Sequence, residues 1–383
     1  MPYRMAFNFY LPTRILFGWG TLTRLPEEVS RCGGTRALIV TDKGLVGSGL
    51  PQQVMDVLDK AGISCALYDG VQPNPTVTMV DEGEEVRARH EANLIIGLGG
   101  GSSMDTAKGI GVIAVHGGSI RQYAGVNKVP GPGLPVIAIP TTAGTGSEVS
   151  NASALSDPAT HTKTPVRSPH ILPTVALLDP SLLTSMPQRV AVDTSLDALC
   201  HLIEAYVSKA ANVWTDLLAL EGIRLCGKFL TPFVAERSNK EAAEAMLYAA
   251  MLGGIVISYA RTGAAHTLTR PLGEGVSHGL ACAIALPYVM DFNLVASPLK
   301  FVEIARALGE PVEGFSLASA HKAVDAVSRI NRELGVPERL RVVGVRPENV
   351  PELAKQAYAL DASRLNAREL REQDIEDLLR QAV

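Results

Sequence analysis

The chain changes period half-way along its length, and that change constrains its fold more than any other feature. Up to about Pro187, short apolar runs alternate with stretches of helical spacing. RALIVTD (Arg36–Asp42), SCALYDGV, NLIIGL and LPVIAIP read as strands, and Leu50–Ile63 and Thr76–Ala92 as helices. Such alternation predicts a mostly parallel sheet covered by helices. Beyond Pro187, VAVDTSLDALCHLIEAYVSKA, VWTDLLALEGIRLCGKFLTPFVAE, KEAAEAMLYAAMLGGIVISYA and PLKFVEIARAL carry apolar residues at i, i+3, i+4 and i+7, with no convincing strand among them. The tail RELREQDIEDLLRQAV reads as a closing amphipathic helix. At 383 residues the chain is too long for one small core. The expected division is 1–186 as an α/β domain and 187–383 as an all-helical one.

Composition excludes some functions. A net charge of −4 lacks the basic footprint of a nucleic-acid binder. No run approaches the roughly 18 consecutive apolar residues of a membrane span. The opening MPYRMAFNFYLPTRILFG has no long apolar stretch and no small-residue cleavage site, so no secretory signal is expected. Cys32, Cys65, Cys200, Cys226 and Cys282 are odd in number and scattered, which fits neither a disulfide framework nor a CxxC metal site. The expectation is free thiols in a reducing cytoplasm.

Two groups of residues carry chemistry. Asp197 and His201 lie four apart in DTSLDALCHLIEAY, on one face of a helix. His266 and His278 follow in AAHTLTRPLGEGVSHG. A lone histidine in an apolar segment is ordinarily a satisfied core residue; three imidazoles and one carboxylate suit a divalent transition metal. Cys200 adjoins His201 but points about 100° away on a helix, so it is not counted as a ligand. Upstream, Gly99, Gly100, Gly101 and Ser102 separate a strand from a helix containing Asp105 and Lys108. Glycines there let a pyrophosphate approach the backbone, and the helix N-terminus favours its charge. A bare glycine run also serves an ordinary tight turn, and this one is not GxGxxG. Thr141, Thr142 and Thr145, in PTTAGTGSE after the next strand, can bind phosphate or a nicotinamide amide, or simply turn the chain. Asp42 closes the first strand, where a carboxylate can accept from ribose hydroxyls or cap a helix.

These motifs resemble the iron-dependent, or group III, alcohol dehydrogenases: FGWGTL, VTDKGL, PNPT, GLGGGSSMDTAK, LPVIAIPTTAGTGSEV, ILPTVALLDPSLL, LDALCHLIEAYVS and HGLACAIALPYVMDFN, in order across residues 14–293. The resemblance implies a Rossmann-like nucleotide-binding domain followed by an all-helical metal-binding domain, as in dehydroquinate synthase, with the site in the cleft. It assigns the metal to Asp197, His201, His266 and His278. It assigns the cofactor to Asp42, Asn74, Gly100, Gly101, Ser102, Asp105, Thr141, Thr142, Thr145 and Lys163. The implied cofactors are NAD, with Asp42 disfavouring NADP, and Fe²⁺, with Zn²⁺ an alternative occupant. The implied reaction is hydride transfer between nicotinamide and a primary alcohol or aldehyde, in a cytoplasmic homodimer or larger homo-oligomer without nucleic-acid or membrane partners. Rival readings are a cyclase or lyase of the dehydroquinate synthase type, a non-catalytic nucleotide-binding protein, and a metal-free reductase.

One departure bears on the substrate. Where the family has HxxxHPLG, this chain has HTLTRPLG, with Arg270 in place of the second His and a slightly shorter run to His278. A permanently charged, forked donor suits an anionic substrate. The alternative is that Arg270 pairs with a local acid such as Glu274, or lines a solvent channel.

Overall fold

The computed structural model describes residues 6–159, 162–272, 276–359 and 364–383. They form two compact units. One comprises Tyr10–Thr142 and Gly146–Met186; the other gathers Pro187–Val383, Ala143–Thr145 and the N-terminal segment through Phe9.

The first unit contains strands β1 (Arg14–Phe17), β2 (Arg36–Asp42), β3 (Ser64–Val71), β4 (Leu94–Gly99), β5 (Gly125–Val126), β6 (Val136–Pro140), β7 (Ala152–Asp157), β8 (Thr162–Arg167) and β9 (Val175–Leu178). Its helices are α1 (Leu25–Arg31), α2 (Lys43–Ser48), α3 (Leu50–Asp59), α4 (Val77–His90) and α5 (Gly101–His116). Six strands pair in parallel in the order β1-β9-β6-β4-β2-β3. Alternate residues explain the double covering. Ala37 and Ile39 of β2 pack into one apolar cluster, with Leu25, Val54 and Leu58; Leu38 and Val40 pack into another, with Val80 and Ile110. A strand buried on both faces is continuously apolar, which is why RALIVTD is legible. Each such Leu or Ile contributes about 1.5–3 kcal/mol by burial.

The order also locates a ligand site. From β2 the chain moves outward to β3, then crosses back to β4 on the other side of β2. The carboxyl ends of β2 and β4 therefore flank the switch point where open parallel sheets bind ligands. Asp42 ends β2 and Gly99 ends β4. Gly97 allows α5 to lie close, since a Cβ there would sit 3.1 Å from Met104 Cα.

A small second sheet, β5-β8-β7, was not expected. Its longer strands, ASALSD and TKTPVR, are polar, and Pro165 argues against a strand, so no apolar signal marks them.

Among its described residues, the second unit contains helices and no strand: α6 (Gln188–Val207), α7 (Val213–Ala235), α8 (Lys240–Ala260), α9 (Ala264–Thr269), α10 (His278–Leu294), α11 (Pro298–Ala307), α12 (Leu317–Glu333), α13 (Val350–Tyr358) and α14 (Glu372–Ala382). The closing α14 buries Ile375, Leu378, Leu379 and Ala382, as its spacing predicts. One correction concerns α8: by length and composition it could cross a membrane, with an 18-residue window of mean hydropathy 1.4. That window is 72% buried inside the protein, so its apolar character serves the helical core.

Candidate metal centre and nucleotide loops

The metal candidates converge. Asp197, His201 and Glu204 recur at i, i+4 and i+7 along α6, which aligns them on one face. His266 comes from α9 and His278 begins α10. Asp197 Oδ1 lies 3.7 Å from His201 Nε2 and 3.5 Å from His266 Nε2. The rings of His201 and His266 stack at 4.7 Å, and His278 meets His266 edge-on at 5.1 Å. Asp197, His201 and His266 are buried, whereas His278 keeps an exposed face.

Asp197 Oδ1 and His266 Nε2 are buried and accept or donate no hydrogen bond within the protein. Orphaned polar atoms of this kind cost about 1–3 kcal/mol each unless a ligand satisfies them. Their separations match neighbouring ligands of one ion, because metal–nitrogen and metal–oxygen bonds near 2.1 Å place tetrahedral neighbours roughly 3.4 Å apart. Burial pushes the Asp197 carboxyl up, but His201, His266 and His278 outweigh it and hold it well below the usual carboxylate range. The carboxylate is therefore ready to bind a cation. The donor set fits Fe²⁺ or Zn²⁺.

Glu204 was not among the expected residues, yet it fixes the geometry. Its Oε2 lies 2.6 Å from His266 Nδ1, so Nδ1–H donates to it and the Nε2 lone pair faces Asp197. Its Oε1 accepts from Ala265 N–H at 2.6 Å, capping the start of α9. Asn366 Oδ1 takes the neighbouring Ala264 N–H at 3.3 Å. A heptad of Asp197, His201 and Glu204 was readable, but a mid-helix glutamate ordinarily reads as a solvated face. Glu204→Gln should lower Fe²⁺ or Zn²⁺ affinity about 10–100-fold, because the amide cannot satisfy both donors. Chelator competition measures it; wild-type affinity would contradict this role.

Two further side chains border the centre. Cys200 Sγ lies 3.7 Å from His266 Nδ1, on the Glu204 side of the ring. Arg270 opens a 3₁₀ turn, Arg270–Leu272, directly after α9, so His266 and Arg270 share a helical path. Arg270 is half-buried, and among the described residues nothing hydrogen-bonds or ion-pairs with its guanidinium. Burial presses it below its ordinary value, against the pull of Cys282 and Glu204. Glu274, the local acid considered as its partner, lies outside the described residues.

Several of the nucleotide candidates lie at or just after the carboxyl ends of β2, β4 and β6. Gly99 has φ of +146°, a conformation open to glycine, and a Cβ there would lie 2.6 Å from Ser103 Oγ. Gly100 stands just ahead of α5, whose first residues are Gly101 and Ser102. Thr142 lies beside this loop, 3.6 Å from where a Gly100 Cβ would be, and Thr141 N–H bonds Gly99 O at 3.0 Å. Asp42 Oδ1 caps α2 by accepting from Leu45 N–H at 3.1 Å. Lys163 of β8 reaches Asn74 Oδ1 at 3.3 Å. Thr145 groups with the helical unit. Asp105 turns inward: its oxygens accept from Ser147 Oγ at 2.5 Å and Ala154 N–H at 2.7 Å. Buried Lys108 donates to Ser147 Oγ, Ser150 and Ala152 O. Asp105 and Lys108 thus brace the loop after β6, a role the spacing alone did not reveal.

The profile described as "Iron-containing alcohol dehydrogenase" matches residues 12–180, and that described as "Fe-containing alcohol dehydrogenase family, C-terminal" matches 191–383. The chain belongs to the iron-containing alcohol dehydrogenase family. Within it, the chain is 38% identical to an NAD-dependent methanol dehydrogenase of Bacillus methanolicus, over 98% of this chain and 100% of that one. A solved 1,3-propanediol oxidoreductase superposes with a TM-score of 0.96 at 39% identity, covering 99% of this chain and all of that one. A sulfoacetaldehyde reductase from Bifidobacterium kashiwanohense, solved in complex with NAD⁺, gives 0.90 at 30% identity and 99% coverage of both.

Proposed function

We propose that this protein is an iron- and NAD(H)-dependent alcohol dehydrogenase and aldehyde reductase whose substrate bears an anionic group. The observation that carries the reading is the convergence of Asp197 and His266, two buried and unsatisfied donors, with His201 and His278 beside them. Residues 187–383 hold the metal and residues 1–186 the nucleotide. A bound Fe²⁺ would supply Lewis acidity toward a substrate oxygen, and the nicotinamide would carry the hydride. Asp197 contributes negative charge, and Glu204 keeps the His266 lone pair aimed inward. The first N–H groups of α5, freed of side chains at Gly100 and Gly101, suit the pyrophosphate.

Asp42 supports NAD over NADP. Among the described residues only Leu45 N–H donates to its carboxylate, through Oδ1, so Oδ2 can accept from a ribose hydroxyl. Its charge would oppose a 2′-phosphate by roughly 1–3 kcal/mol. The kcat/KM for NADH should exceed that for NADPH by about 10–100-fold, and Asp42→Gly should narrow the gap. Equal efficiency with both coenzymes in the unmutated protein would exclude this role.

Arg270 supports the anionic substrate. A partly buried guanidinium with no acceptor among the described residues, on the path leading from His266, suits a carboxylate, phosphonate or sulfonate. The likeness to a sulfoacetaldehyde reductase agrees with this. Between two aldehydes of equal length, kcat/KM should favour the acid-tipped one by about thirtyfold, or ~2 kcal/mol. Arg270→His should erase that gap and raise turnover of simple alcohols. Preference for the neutral aldehyde, unchanged in the mutant, would make Arg270 structural.

A homo-oligomeric, cytoplasmic enzyme is part of the same proposal. Among the described strands β1 stands at one end of the six-stranded sheet. Light scattering on the purified protein tests the assembly.

A further inference from the structure

Cys282 lies four residues beyond His278, one turn along α10, so both side chains share a helix face. Its sulfur is buried, 3.8 Å from His278 Nε2 and 3.2 Å from Thr269 Oγ1. One donor atom each from Asp197, His266, His278 and Cys282 all lie within 4.8 Å of one another. Metal–sulfur bonds near 2.3 Å and metal–nitrogen bonds near 2.1 Å place ligands about 120° apart roughly 3.8 Å from each other, as in the equatorial plane of a five-coordinate ion, and Cys282 Sγ lies 3.8 Å from His278 Nε2. A second observation points the same way. Asp197 Oδ1 and His266 Nε2, on residues 4% and 3% exposed, have no protein partner.

Cys200 provides the contrast. Its sulfur neighbours that of Cys282 but meets His266 at Nδ1, the nitrogen already engaged by Glu204.

We infer that Cys282 is a further ligand of the metal centre, giving this chain an Asp, His and Cys donor set rather than one of nitrogen and oxygen alone. The inference rests on the metal reading of Asp197 and the three histidines. On binding, the thiol loses its proton to solvent and the sulfur donates to the ion. A thiolate shifts preference toward softer ions, so Zn²⁺ and Co²⁺ should be held more tightly than an all-N/O site would hold them.

Cobalt substitution tests this without relying on turnover. Metal-free protein titrated anaerobically with Co²⁺ should develop visible d–d bands together with a sulfur-to-cobalt charge-transfer band in the near ultraviolet. Cys282→Ser should keep the d–d bands and lose the charge-transfer band, whereas Cys200→Ser should keep both. Zn²⁺ affinity of Cys282→Ser, from chelator competition, should fall at least about tenfold, the lower bound for disturbing even an outer partner. Cys282→Ala provides a second variant, and circular dichroism confirms that each variant is folded. Strong d–d bands with no charge transfer in the wild type, or a charge-transfer band that survives both Cys282 variants, would overturn the Cys282 assignment while leaving the Asp–His centre in place. No d–d band at all would overturn that centre and Cys282 with it.

Discussion

Asp197→Ala should yield a folded protein that holds no iron and turns over at least about a thousandfold more slowly. Asp197 supplies the single carboxylate among the expected ligands, and its Oδ1 is the atom on which His201 and His266 converge. Without it, the imidazoles and the Cys282 sulfur are left as a softer set that holds a hard ion such as Fe²⁺ weakly. Losing the ion's electrostatic stabilisation costs several kcal/mol, and each ~1.4 kcal/mol is tenfold in rate. Metal analysis after gel filtration, with circular dichroism as the folding control, reads the result. An Asp197→Ala protein with stoichiometric iron and unchanged kcat would contradict the assignment.

Gly279→Ala should produce the second large effect. The residue lies immediately after His278, where α10 crosses α6. A Cβ at Gly279 would sit 2.0 Å from the backbone oxygen of Asp193 and 3.3 Å from Asp197 Cβ. Backbone cannot yield as a flexible side chain does, so the start of α10 must move away from α6. That movement would displace His278 and break the 2.5 Å hydrogen bond from Ser277 Oγ to Asp193. Overpacking of this kind costs about 1–3 kcal/mol. Thermal unfolding should therefore begin several degrees lower, and metal affinity should drop by more than about tenfold. Unchanged Tm and affinity would show that the helix crossing tolerates the extra methyl.

What the sequence reveals follows from burial. The central strands are buried on both faces, so continuous apolar runs such as RALIVTD and NLIIGL mark them. The helices of the second unit pack through apolar stripes, and the 3.6-residue period exposes them. The strands β7 and β8 are polar and interrupted by Pro165, so pattern fails there. In the same way, the Asp197–x3–His201 pair is readable because helical spacing alone places both groups on one face. Glu204 and Cys282 act through contacts with residues 62 and four positions away, respectively. A glutamate in a helix carries no mark of so distant a contact, whereas the His278–x3–Cys282 spacing does place that cysteine on the face of His278. Asp105 shows the opposite case: its motif suggests a cofactor contact, while its carboxylate is spent on Ser147 and Ala154. Asp42 does serve as a helix cap, through one of its two carboxylate oxygens.

The central claim is metal-dependent hydride transfer with net turnover of coenzyme. Protein stripped of metal and reloaded anaerobically with Fe²⁺ is mixed with NADH and an acid-tipped aldehyde, and NADH absorbance and alcohol product are followed together. The expected result is one NADH oxidised per alcohol formed in the reloaded protein, and none in the stripped protein. Equal rates in the two preparations, or substrate consumed with NADH conserved as in a cyclase or lyase that recycles its coenzyme, would contradict the account.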